Sequence, residues 1–584
     1  MRRTKIICTI GPASESQEVL VEMINAGMDV ARLNFSHGTH AEHLKRVDRI
    51  RKASELAGKQ VAIILDTKGP EIRIGSFKNS PITLKNGSTF ILTTEEIEGT
   101  QEKVSVSYKK LPQQVRPGDS ILINDGLIEL KVEKVENQEI ICLVVVGGEL
   151  SDKKGVNLPG ITVDLPILTE KDYQDLQFAV EHKLDFIAAS FIRTASDVLA
   201  IRKVLEDAGG ENIQIIAKIE SKQGVDNIDQ ILEVADGIMV ARGDLGVEIP
   251  SEEVPLVQKD IIKRCNVLGK PVIIATQMLE SMTNNPRPTR AEVTDIANAI
   301  MDGTDAIMLS GETAAGKYPL QAVKVMAKIA ERTDRSLPYG DILLKNSLTR
   351  ENNVTSAISF ATCQTAYDLD AAAIITATKS GHTARMVSKY RPKALIIAST
   401  PHEEVVRQLR LVWGVYPLLG VETGSTDEMI DNSVNAALKA DLIKQGDLVV
   451  ITAGLPANVT GTTNLLKVHT VGHIFAKGIG VGRTSVSGRV CVAKTAAEAL
   501  EKVERGDILV TIGVDAAYVP VFNKIVGLVT EEGGLTSPGA IMGLQYGIPV
   551  IVGVEKATDL LSDTDVITID GEAGLIYRGK ARVK

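Results

Sequence analysis

The feature that most constrains this chain is a series of eight short apolar runs in its first half, separated mostly by longer amphipathic stretches. The runs are KIICTIG (5–11), VARLNFS (30–36), VAIILDT (61–67), FIAASFI (186–192), IQIIAKIE (213–220), GIMVARGD (237–244), VIIATQML (272–279) and AIMLSGET (306–313). Continuously apolar runs are typical of strands that are buried on both faces. Eight such strands with helical crossovers predict an α/β fold, a (β/α)8 barrel.

Nearly every run ends in polar, charged or glycine residues, and in a barrel these strand ends form the catalytic mouth. The polar and charged ones are Asn34, Ser36, Asp66, Lys218, Glu220, Asp244, Thr276, Ser310 and Glu312. Polar residues can simply mark the ends of strands, which would account for any single position. That account fails for the group, because Lys218, Glu220 and Asp244 follow apolar residues too closely to be free in solvent.

The spacing breaks once, because roughly 120 residues separate the third run from the fourth, far more than a usual connection in such a fold. This segment carries Asn86-Gly87 and Asp125-Gly126, which are hairpin signals between β-rich flanks. We therefore predict an all-β domain over residues 70–166, inserted at the mouth where it can act as a lid. The barrel itself is predicted over residues 1–69 and 167–343.

Two further α/β units are predicted after the barrel, since 584 residues are too many for one hydrophobic core. Residues 344–473 alternate the strand-like segments AAIITAT, ALIIAST and DLVVITAG with helical segments, which predicts a doubly wound sheet. Residues 474–584 form a further glycine-rich α/β unit with its own turn signals.

Composition narrows the class of partner. A net charge of −9 argues against nucleic acid as the main partner, although local basic residues can still bind small phosphates. The N-terminal segment lacks the pattern of a signal peptide, and no run approaches the ~18 apolar residues of a membrane span. The five cysteines are scattered. We therefore expect a cytoplasmic protein with buried thiols and no membrane association.

The segment AKIE (217–220) places Lys218 and Glu220 two residues apart, on the same face of a strand. Because Asp244 ends the neighbouring strand, Glu220 and Asp244 can meet at one point. Two carboxylates suit octahedral Mg²⁺, which keeps waters and bridges substrate phosphates, and Mn²⁺ accepts the same oxygens. The alternative is an internal salt bridge between Lys218 and the acids. Gly243, beside Asp244, would let a backbone N–H approach an anion.

Seven segments together resemble the pyruvate kinase family and occur in that family's order. They are ARLNFSHG, DTKGPEIR, KKGVNLPG, AKIE, ARGDLGVEIP, ATQML and SGETAAGKYP. The resemblance covers residues 1–473 and implies a homotetramer that transfers a phosphoryl group from phosphoenolpyruvate to ADP, giving pyruvate and ATP. It also implies two cofactors, Mg²⁺ (or Mn²⁺) and K⁺.

The resemblance implies a role for each matching position. Arg32 would contact the transferring phosphoryl group, Lys218 would stabilise that group in transit, and Thr276 would organise the proton that the enolate takes up. The carboxylate end of the substrate would be held by Gly243, Asp244 and Thr276.

The resemblance also implies the cation and nucleotide ligands. Glu220 and Asp244 match the divalent-metal ligands. The potassium site matches Asn34, Ser36, Asp66 and Thr67, the last through its backbone carbonyl. Glu71 resembles the acid of potassium-dependent members. The nucleotide contacts match Asn34, Arg73 and Lys154.

The segment TATKSGHTAR (376–385) resembles the phosphate loop of the family's C-terminal domain, where a sugar phosphate or AMP would act as an activator. Thr378, Ser380, Gly381 and Thr383 offer hydroxyl and N–H groups at a strand-to-helix turn, which suits a phosphate. The alternative is an ordinary helix start with Ser380 as its N-cap.

The segment EEGGLTSPGAIMGLQYGIPVIVG (531–553) resembles the swivelling phosphohistidine domain of phosphoenolpyruvate-utilising enzymes. Pro538 stands where that family carries its histidine, and proline has no nucleophilic nitrogen. We therefore expect this unit to be a structural or regulatory appendage that does not carry a phosphoryl group.

Two rival functions stay open on the residues alone. A barrel lyase or aldolase acting on pyruvate-type enolates would share the carboxylates but would not need the lid, the potassium cluster or Lys218. A non-catalytic metabolite sensor would keep the fold and lose the reaction. The sensor is disfavoured because every matched position carries the expected residue.

Overall fold

A computed structural model describes residues 1–161, 163, 165–422, 425–454, 462–472 and 474–581. The chain forms two compact units. The first comprises Met1–Arg350, Ser388–Arg391 and His402–Pro417, and the second comprises Glu351–Val387, Pro392–Pro401 and Leu418–Lys584. Among the described residues, none of the helices is both long and apolar enough to cross a bilayer.

The first unit opens with three strands separated by helices. In chain order they are β1 (Lys5–Thr9), α1 (Gln17–Ala26), β2 (Val30–Asn34), α2 (His40–Ala57) and β3 (Ala62–Asp66). Both helices begin at capping residues: the Ser16 side chain accepts an N–H at the start of α1, and Thr39 and Glu42 form a capping box at the start of α2. The three strands are the first three predicted runs.

A β-rich insertion follows β3. Its elements are β4 (Ile82–Leu84), β5 (Thr89–Thr93), β6 (Lys103–Ser105), α3 (Leu111–Gln114), β7 (Ser120–Ile123), β8 (Ile128–Glu136), β9 (Glu139–Val146), β10 (Gly148–Leu150) and β11 (Val156–Asn157). Six of the strands form a sheet in the order β11-β7-β8-β9-β5-β6, and β10 pairs with β4. The alternating inward side chains of these strands, Leu130 and Val132 of β8 among them, form a core of their own.

The two turn predictions in the insertion have different outcomes. The hairpin at Asp125-Gly126 is confirmed, because both residues have positive φ (55° and 81°) between the antiparallel strands β7 and β8. The hairpin at Asn86-Gly87 is wrong. A turn lies there, but β9 and β6 occupy the two edges of β5, so β4 pairs with β10 instead.

The barrel resumes after the insertion. Its remaining strands are β12 (Phe186–Ala189), β13 (Gln214–Ile219), β14 (Gly237–Ala241), β15 (Val272–Ala275) and β16 (Ala306–Leu309). The sheet closes in the order β1-β16-β15-β14-β13-β12-β3-β2, with parallel neighbours throughout. The predicted eight-stranded barrel is therefore confirmed, and its strand ends share one mouth.

Helices cover the outside of the barrel. They are α4 (Glu170–Glu181), α5 (Ala195–Asp207), α6 (Lys222–Asp226), α7 (Ile228–Val234), α8 (Arg242–Glu248), α9 (Val254–Leu268), α10 (Arg290–Asp302), α11 (Gly311–Ala314), α12 (Pro319–Asp334) and α13 (Tyr339–Ser347). Their apolar faces pack against the outward side chains of the strands, with Leu176, Val198, Ile261 and Met326 fully or almost fully buried. This two-sided burial explains why the strand sequences are apolar without alternation.

A five-stranded sheet has the order β19-β18-β17-β20-β21, and all of its strands except the first part of β19 belong to the second unit. The elements, in chain order, are α14 (Val354–Asp368), β17 (Ala373–Ala377), α15 (His382–Ser388), β18 (Leu395–Thr400), α16 (Glu403–Gln408, in a segment of the first unit), β19 (Val415–Leu419), α17 (Thr426–Lys439), β20 (Leu448–Ala453) and β21 (Leu465–Thr470). The three predicted strands are present as β17, β18 and β20, and β17 is parallel to both others. The predicted α/β architecture is confirmed.

An eight-stranded sheet follows in the same unit, in the order β22-β29-β28-β24-β25-β26-β27-β23. Its elements are β22 (Ile474–Lys477), β23 (Ile479–Val481), β24 (Ser485–Val492), α18 (Ala496–Lys502), β25 (Ile508–Thr511), β26 (Gly527–Thr530), α19 (Pro538–Tyr546), β27 (Val550–Val552), α20 (Ala557–Leu560), β28 (Val566–Asp570) and β29 (Leu575–Arg578). Pro538 is the first residue of α19, a position at which its missing N–H has no intrahelical partner to lose. The domain boundaries at residues 70, 167, 344 and 474 stay predictions.

Candidate active site

The carboxyl ends of β2, β3 and β13 bring Arg32, Asp66 and Lys218 together. The Nε of Arg32 donates to Oδ2 of Asp66 over 2.7 Å, and Nζ of Lys218 lies 3.1 Å from Oδ1 of the same carboxylate. Arg32 also donates through Nη1 to the hydroxyl of Thr9 over 2.9 Å. All three charged side chains are buried, so this is a preorganised ionic cluster at the floor of the mouth.

Lys218 has three acceptors for the three protons of its ammonium group. Besides Asp66, they are Oε1 of Glu220 at 2.9 Å and the hydroxyl of Ser190 at 2.7 Å. Burial lowers the pKa of Lys218, but the two carboxylates outweigh it and hold the pKa above its usual range. Lys218 is therefore charged at neutral pH, and the internal salt bridge left open by the sequence is present within the site.

Asp66 is the anion that both cations share. Burial alone would raise the pKa of Asp66, but the charges of Arg32 and then Lys218 outweigh it and keep the pKa below its ordinary value. Asp66 is consequently ionised at neutral pH. Because one carboxylate binds two cations, displacing either cation would leave a buried charge only partly compensated.

Ser190 belongs to the same cluster, although the sequence interpretation missed it. Its hydroxyl accepts from Lys218, donates to the backbone carbonyl of Thr67 over 2.7 Å and lies 3.3 Å from Oδ1 of Asp66. Ser190 directly follows the last residue of β12. Ser190 is therefore also a polar residue at the end of a predicted strand, and this pattern could have identified it.

Glu220 and Asp244 are the two carboxylates predicted to bind a divalent metal. Oε2 of Glu220 accepts the backbone N–H of Phe191 over 2.6 Å, and Asp244 lies in the first turn of α8, where solvent reaches it. Partial desolvation by the walls of the cleft and then the charge of Glu220 raise the pKa of Asp244 to about 7. The two carboxylates therefore lie close enough to repel each other.

This pair fits a divalent cation whose coordination is completed by substrate. Mg²⁺ is commonly held by one or two carboxylates, with waters and substrate phosphates in its other positions. In the part of the chain that the structure describes, no group of three or more His, Cys, Asp and Glu side chains is arranged to hold a metal. Glu220 and Asp244 would therefore supply the protein's share of the ligands.

Gly69 makes the Phe191 contact possible. A Cβ atom at Gly69 would lie 2.8 Å from Cδ2 of Phe191 and 3.0 Å from Cβ of Ser190, and the φ of Gly69 is +66°. The N–H of Gly69 donates to Oδ1 of Asp172 over 3.1 Å, which fixes the loop. The glycine of DTKGPEIR is thus required for close approach of two strand-end loops.

The ends of β14 and β15 are joined through Thr276. Its hydroxyl accepts the N–H of Gly243 over 2.9 Å and donates to the carbonyl of Ala275 over 2.6 Å. Arg242 donates to the carbonyl of Thr276 over 2.7 Å and lies 2.6 Å from Asp295. Thr276 is thereby held beside Gly243 and the start of α8, and its role in the reaction stays a prediction.

The predicted potassium ligands lie along the ends of β2 and β3. Asn34 and Asp66 are paired in the parallel register, and Oδ1 of Asn34 accepts the N–H of Ser36 over 3.1 Å. Ser36 is exposed and Thr67 is buried. Amide, hydroxyl, carboxylate and carbonyl oxygens are all ligands that a monovalent cation accepts, so the donor set fits K⁺.

A cavity of about 250 Å³ opens at the mouth of the barrel. Residues of the barrel and the insertion line it together, among them Glu71, Asp125, Asn157, Phe191, Glu220 and Asp244. The described residues that line it include neither Arg73 nor Lys154, which were predicted to contact ADP. They also do not include Arg32, Lys218 and Thr276, the residues predicted to be catalytic. Arg73 instead donates to Oε2 of Glu71 and to the carbonyl of Lys153, both over 2.7 Å.

The predicted effector residues lie in the second unit. Thr378, Ser380 and Thr383 line a cavity of about 80 Å³, together with Lys379. Gly381 has a φ of +77° at the turn that precedes α15. The turn therefore combines hydroxyl groups and a cation around one concave surface.

Three family models match successive parts of the chain. The model described as "Pyruvate kinase, barrel domain" matches residues 1–323, "Pyruvate kinase, alpha/beta domain" matches residues 356–469, and "PEP-utilising enzyme, mobile domain" matches residues 503–574. The order of these models is the order of the architectures described above.

Curated relatives match over the whole length. A pyruvate kinase of Geobacillus stearothermophilus is 57% identical over 584 residues, and one of Sporosarcina psychrophila is 54% identical over 585 residues, with 100% of each chain covered in both comparisons. A crystal structure of a pyruvate kinase from Cryptosporidium parvum superimposes with a TM-score of 0.77 at 42% identity. That match covers 80% of this chain and 96% of the other.

Proposed function

The chain belongs to the pyruvate kinase family and transfers the phosphoryl group of phosphoenolpyruvate to ADP, which gives pyruvate and ATP. We propose that the cluster at the barrel mouth carries this reaction, with Lys218 and Arg32 as its central cations. The supporting observation is the ammonium of Lys218, which two buried carboxylates keep charged beside the guanidinium of Arg32.

In the transfer, the P–O bond of phosphoenolpyruvate breaks and a new P–O bond forms to a terminal oxygen of ADP. The transition state is loose and spreads negative charge over the equatorial oxygens, so fixed cations lower its free energy. Lys218 and Arg32 are fixed by their hydrogen bonds before the substrate arrives. Little reorganisation is therefore needed when the charge develops.

Two cations complete the proposed site. Glu220 and Asp244 would hold Mg²⁺ or Mn²⁺, which when bound neutralises phosphoryl oxygens and orients the phosphates. Asn34, Ser36, Asp66 and Thr67 would hold K⁺, with Glu71 marking a potassium-dependent site. Gly243, Asp244 and Thr276 would hold the carboxylate end of the substrate, and the N–H of Gly243 would exchange its hydrogen bond to Thr276 for one to that carboxylate.

The enolate left by the transfer takes a proton at its methylene carbon. We assign the ordering of that proton to Thr276, acting through water, because its hydroxyl is held beside Gly243 at the end of β15. The ADP phosphates would contact Arg73, Lys154 and Asn34. Arg73 must then exchange its hydrogen bond to Glu71 for one to the nucleotide, as an insertion that closes as a lid would allow.

We also propose how the enzyme is regulated and how it assembles. The cavity lined by Thr378, Ser380 and Thr383 would bind a phosphorylated activator, a sugar phosphate or AMP, with Gly381 at its turn. The chain would assemble as a homotetramer in the cytoplasm. The last unit would be structural or regulatory, because Pro538 replaces the histidine and residues 474–584 contain no histidine at all.

The test follows pyruvate release from phosphoenolpyruvate and ADP through a lactate dehydrogenase couple, with Mg²⁺ and with or without K⁺. Lys218→Met should abolish turnover, whereas Lys324→Met, which removes an exposed lysine on α12, should leave it unchanged. Turnover without K⁺ would remove the potassium assignment and keep the rest. Full activity in Lys218→Met would refute the assignment of the site.

A further inference from the structure

A second cavity in the first unit lies apart from the cleft at the barrel mouth. It has a volume of about 320 Å³ and is lined by the carboxyl-terminal parts of α9 and α10, by α13 and the residues after it, and by Lys389 and Tyr390. Neither the strand ends nor the cation ligands proposed above take part in it. Its function is therefore a question separate from catalysis.

The lining of this cavity is strongly cationic. Its charged members are Lys259, Lys263, Lys345, Arg350 and Lys389, against the single carboxylate of Asp302 among the described lining residues. The chain as a whole has a net charge of −9, so this concentration of positive charge runs against the composition. Like charges that converge on a concave surface raise the local affinity for anions.

Part of this charge has no counter-ion in the protein. Lys259 forms an ion pair with Asp302. Lys263 and Lys345 are exposed, and within the described ranges neither forms an ion pair or a side-chain hydrogen bond. Two ammonium groups therefore border the cavity with no partner to hold them elsewhere.

Another part of the lining, around Lys389 and Tyr390, is held in place by hydrogen bonds and burial. Lys389 is 6% exposed and donates to the carbonyl of Val267 over 3.1 Å, while its own carbonyl accepts from the side-chain amide of Asn346 over 3.1 Å. Tyr390 is 1% exposed, and the next residue, Arg391, forms a buried ion pair with Asp305 at 3.0 Å. The cavity is consequently pre-formed, as ligand sites usually are.

We propose that this cavity binds a small phosphorylated metabolite. A phosphoryl group carries about −1.5 to −2 charges at neutral pH. A ligand with this charge matches several converging ammonium groups better than a ligand with one carboxylate would. The enclosed volume and the apolar contributions of Val267, Met301 and Tyr390 provide room and contacts for a small organic part. The site is separate from the proposed activator cavity of the second unit, which it does not require.

The proposal is tested by lysine labelling of the full-length protein, read out by mass spectrometry for each lysine. Inorganic phosphate and glycerol 3-phosphate serve as the probes, with sodium chloride at matched ionic strength as the control. Site-resolved labelling is needed because the active site and the activator cavity also attract phosphates. The exposed Lys131 of β8 and Lys324 of α12 report non-specific screening.

We expect both probes to protect Lys263 and Lys345 while Lys131 and Lys324 keep their labelling rates. Protection by glycerol 3-phosphate but not by inorganic phosphate would support the proposed site and show that binding needs the organic part of the ligand. The double variant K263M/K345M should weaken protection of Lys259, an exposed lysine that lines the same cavity, about tenfold in probe concentration, since two exposed charge contacts are lost. No protection, equal protection of the control lysines, or inaccessible Lys263 and Lys345 in the free protein would each overturn the proposal.

Discussion

The hydroxyl of Ser190 offers a sharp test of how Lys218 is positioned. It accepts from the Lys218 ammonium over 2.7 Å and donates to the carbonyl of Thr67 over 2.7 Å. A hydrogen bond to a charged group contributes about 1.5–3 kcal/mol. Because Asp66 and Glu220 still hold the ammonium in a Ser190→Ala variant, we take the lower end, about 1.5 kcal/mol. If this contribution is made in the transition state, kcat falls about tenfold.

The assay is the coupled release of pyruvate at saturating Mg²⁺, K⁺ and ADP, with phosphoenolpyruvate varied. We expect the loss in kcat and little change in the KM for phosphoenolpyruvate, because the hydroxyl acts through Lys218. Ser388→Ala is the matched control, since Ser388 is 2% exposed and donates to the carbonyl of Trp413 over 2.7 Å, away from the mouth. A kcat within about twofold of wild type in Ser190→Ala, or an equal fall in Ser388→Ala, would refute this reasoning.

Three further predictions concern other parts of the molecule. Gly69→Ala would place a Cβ atom 2.8 Å from Phe191, so we expect the free energy of unfolding, measured by denaturation, to fall by about 1–3 kcal/mol. Because the N–H of Phe191 orients Glu220, the variant should also bind Mn²⁺ more weakly, as measured by electron paramagnetic resonance. An unchanged Mn²⁺ affinity would contradict this role of the Phe191 N–H. Burial lowers the pKa of Lys5 from 10.5 to about 7, so the unfolded chain binds more protons between these values and the contribution of this residue to stability rises with pH. Lys5→Met should therefore flatten the increase of the melting temperature between pH 7 and about pH 9. An unchanged slope in the variant would count against it. Labelled phosphoenolpyruvate should leave no acid-labile phosphate on residues 474–584, because Pro538 cannot be phosphorylated; label recovered on a peptide from that range would contradict this.

The barrel was predictable because its strands obey a local rule. Strands buried on both faces must be apolar throughout, and a strand such as β13 must then place Lys218 at its polar end, where the barrel opens. The Asn86-Gly87 hairpin was not predictable in the same way. A turn sequence specifies a local reversal of the chain, but the pairing of β5 with β9 and β6 is decided by the whole insertion.

The candidate site likewise contains features that could be predicted from the sequence and features that could not. That Asp66, Glu220 and Asp244 lie together at the mouth could be predicted, because a charged side chain at the end of a buried apolar run is costly unless it binds a partner or a ligand. The N–H of Phe191 could not, because its position depends on a φ of +58° and on the space left by Gly69. No side-chain pattern reports such a backbone contact, which exists only when two strand-end loops meet.

The charges at the mouth explain why a cation should be needed at all. Lys218 and Arg32 are already paired with Asp66 and Glu220, so the cluster is close to neutral before Asp244 is counted. An ionised Asp244 makes it negative, although both substrates are anions. The raised pKa of Asp244, about 7, expresses the same imbalance, because a proton partly relieves the repulsion when no metal is present. A divalent cation bound as proposed would relieve it fully and leave positive charge for the phosphates, whereas the two basic side chains alone cannot do both.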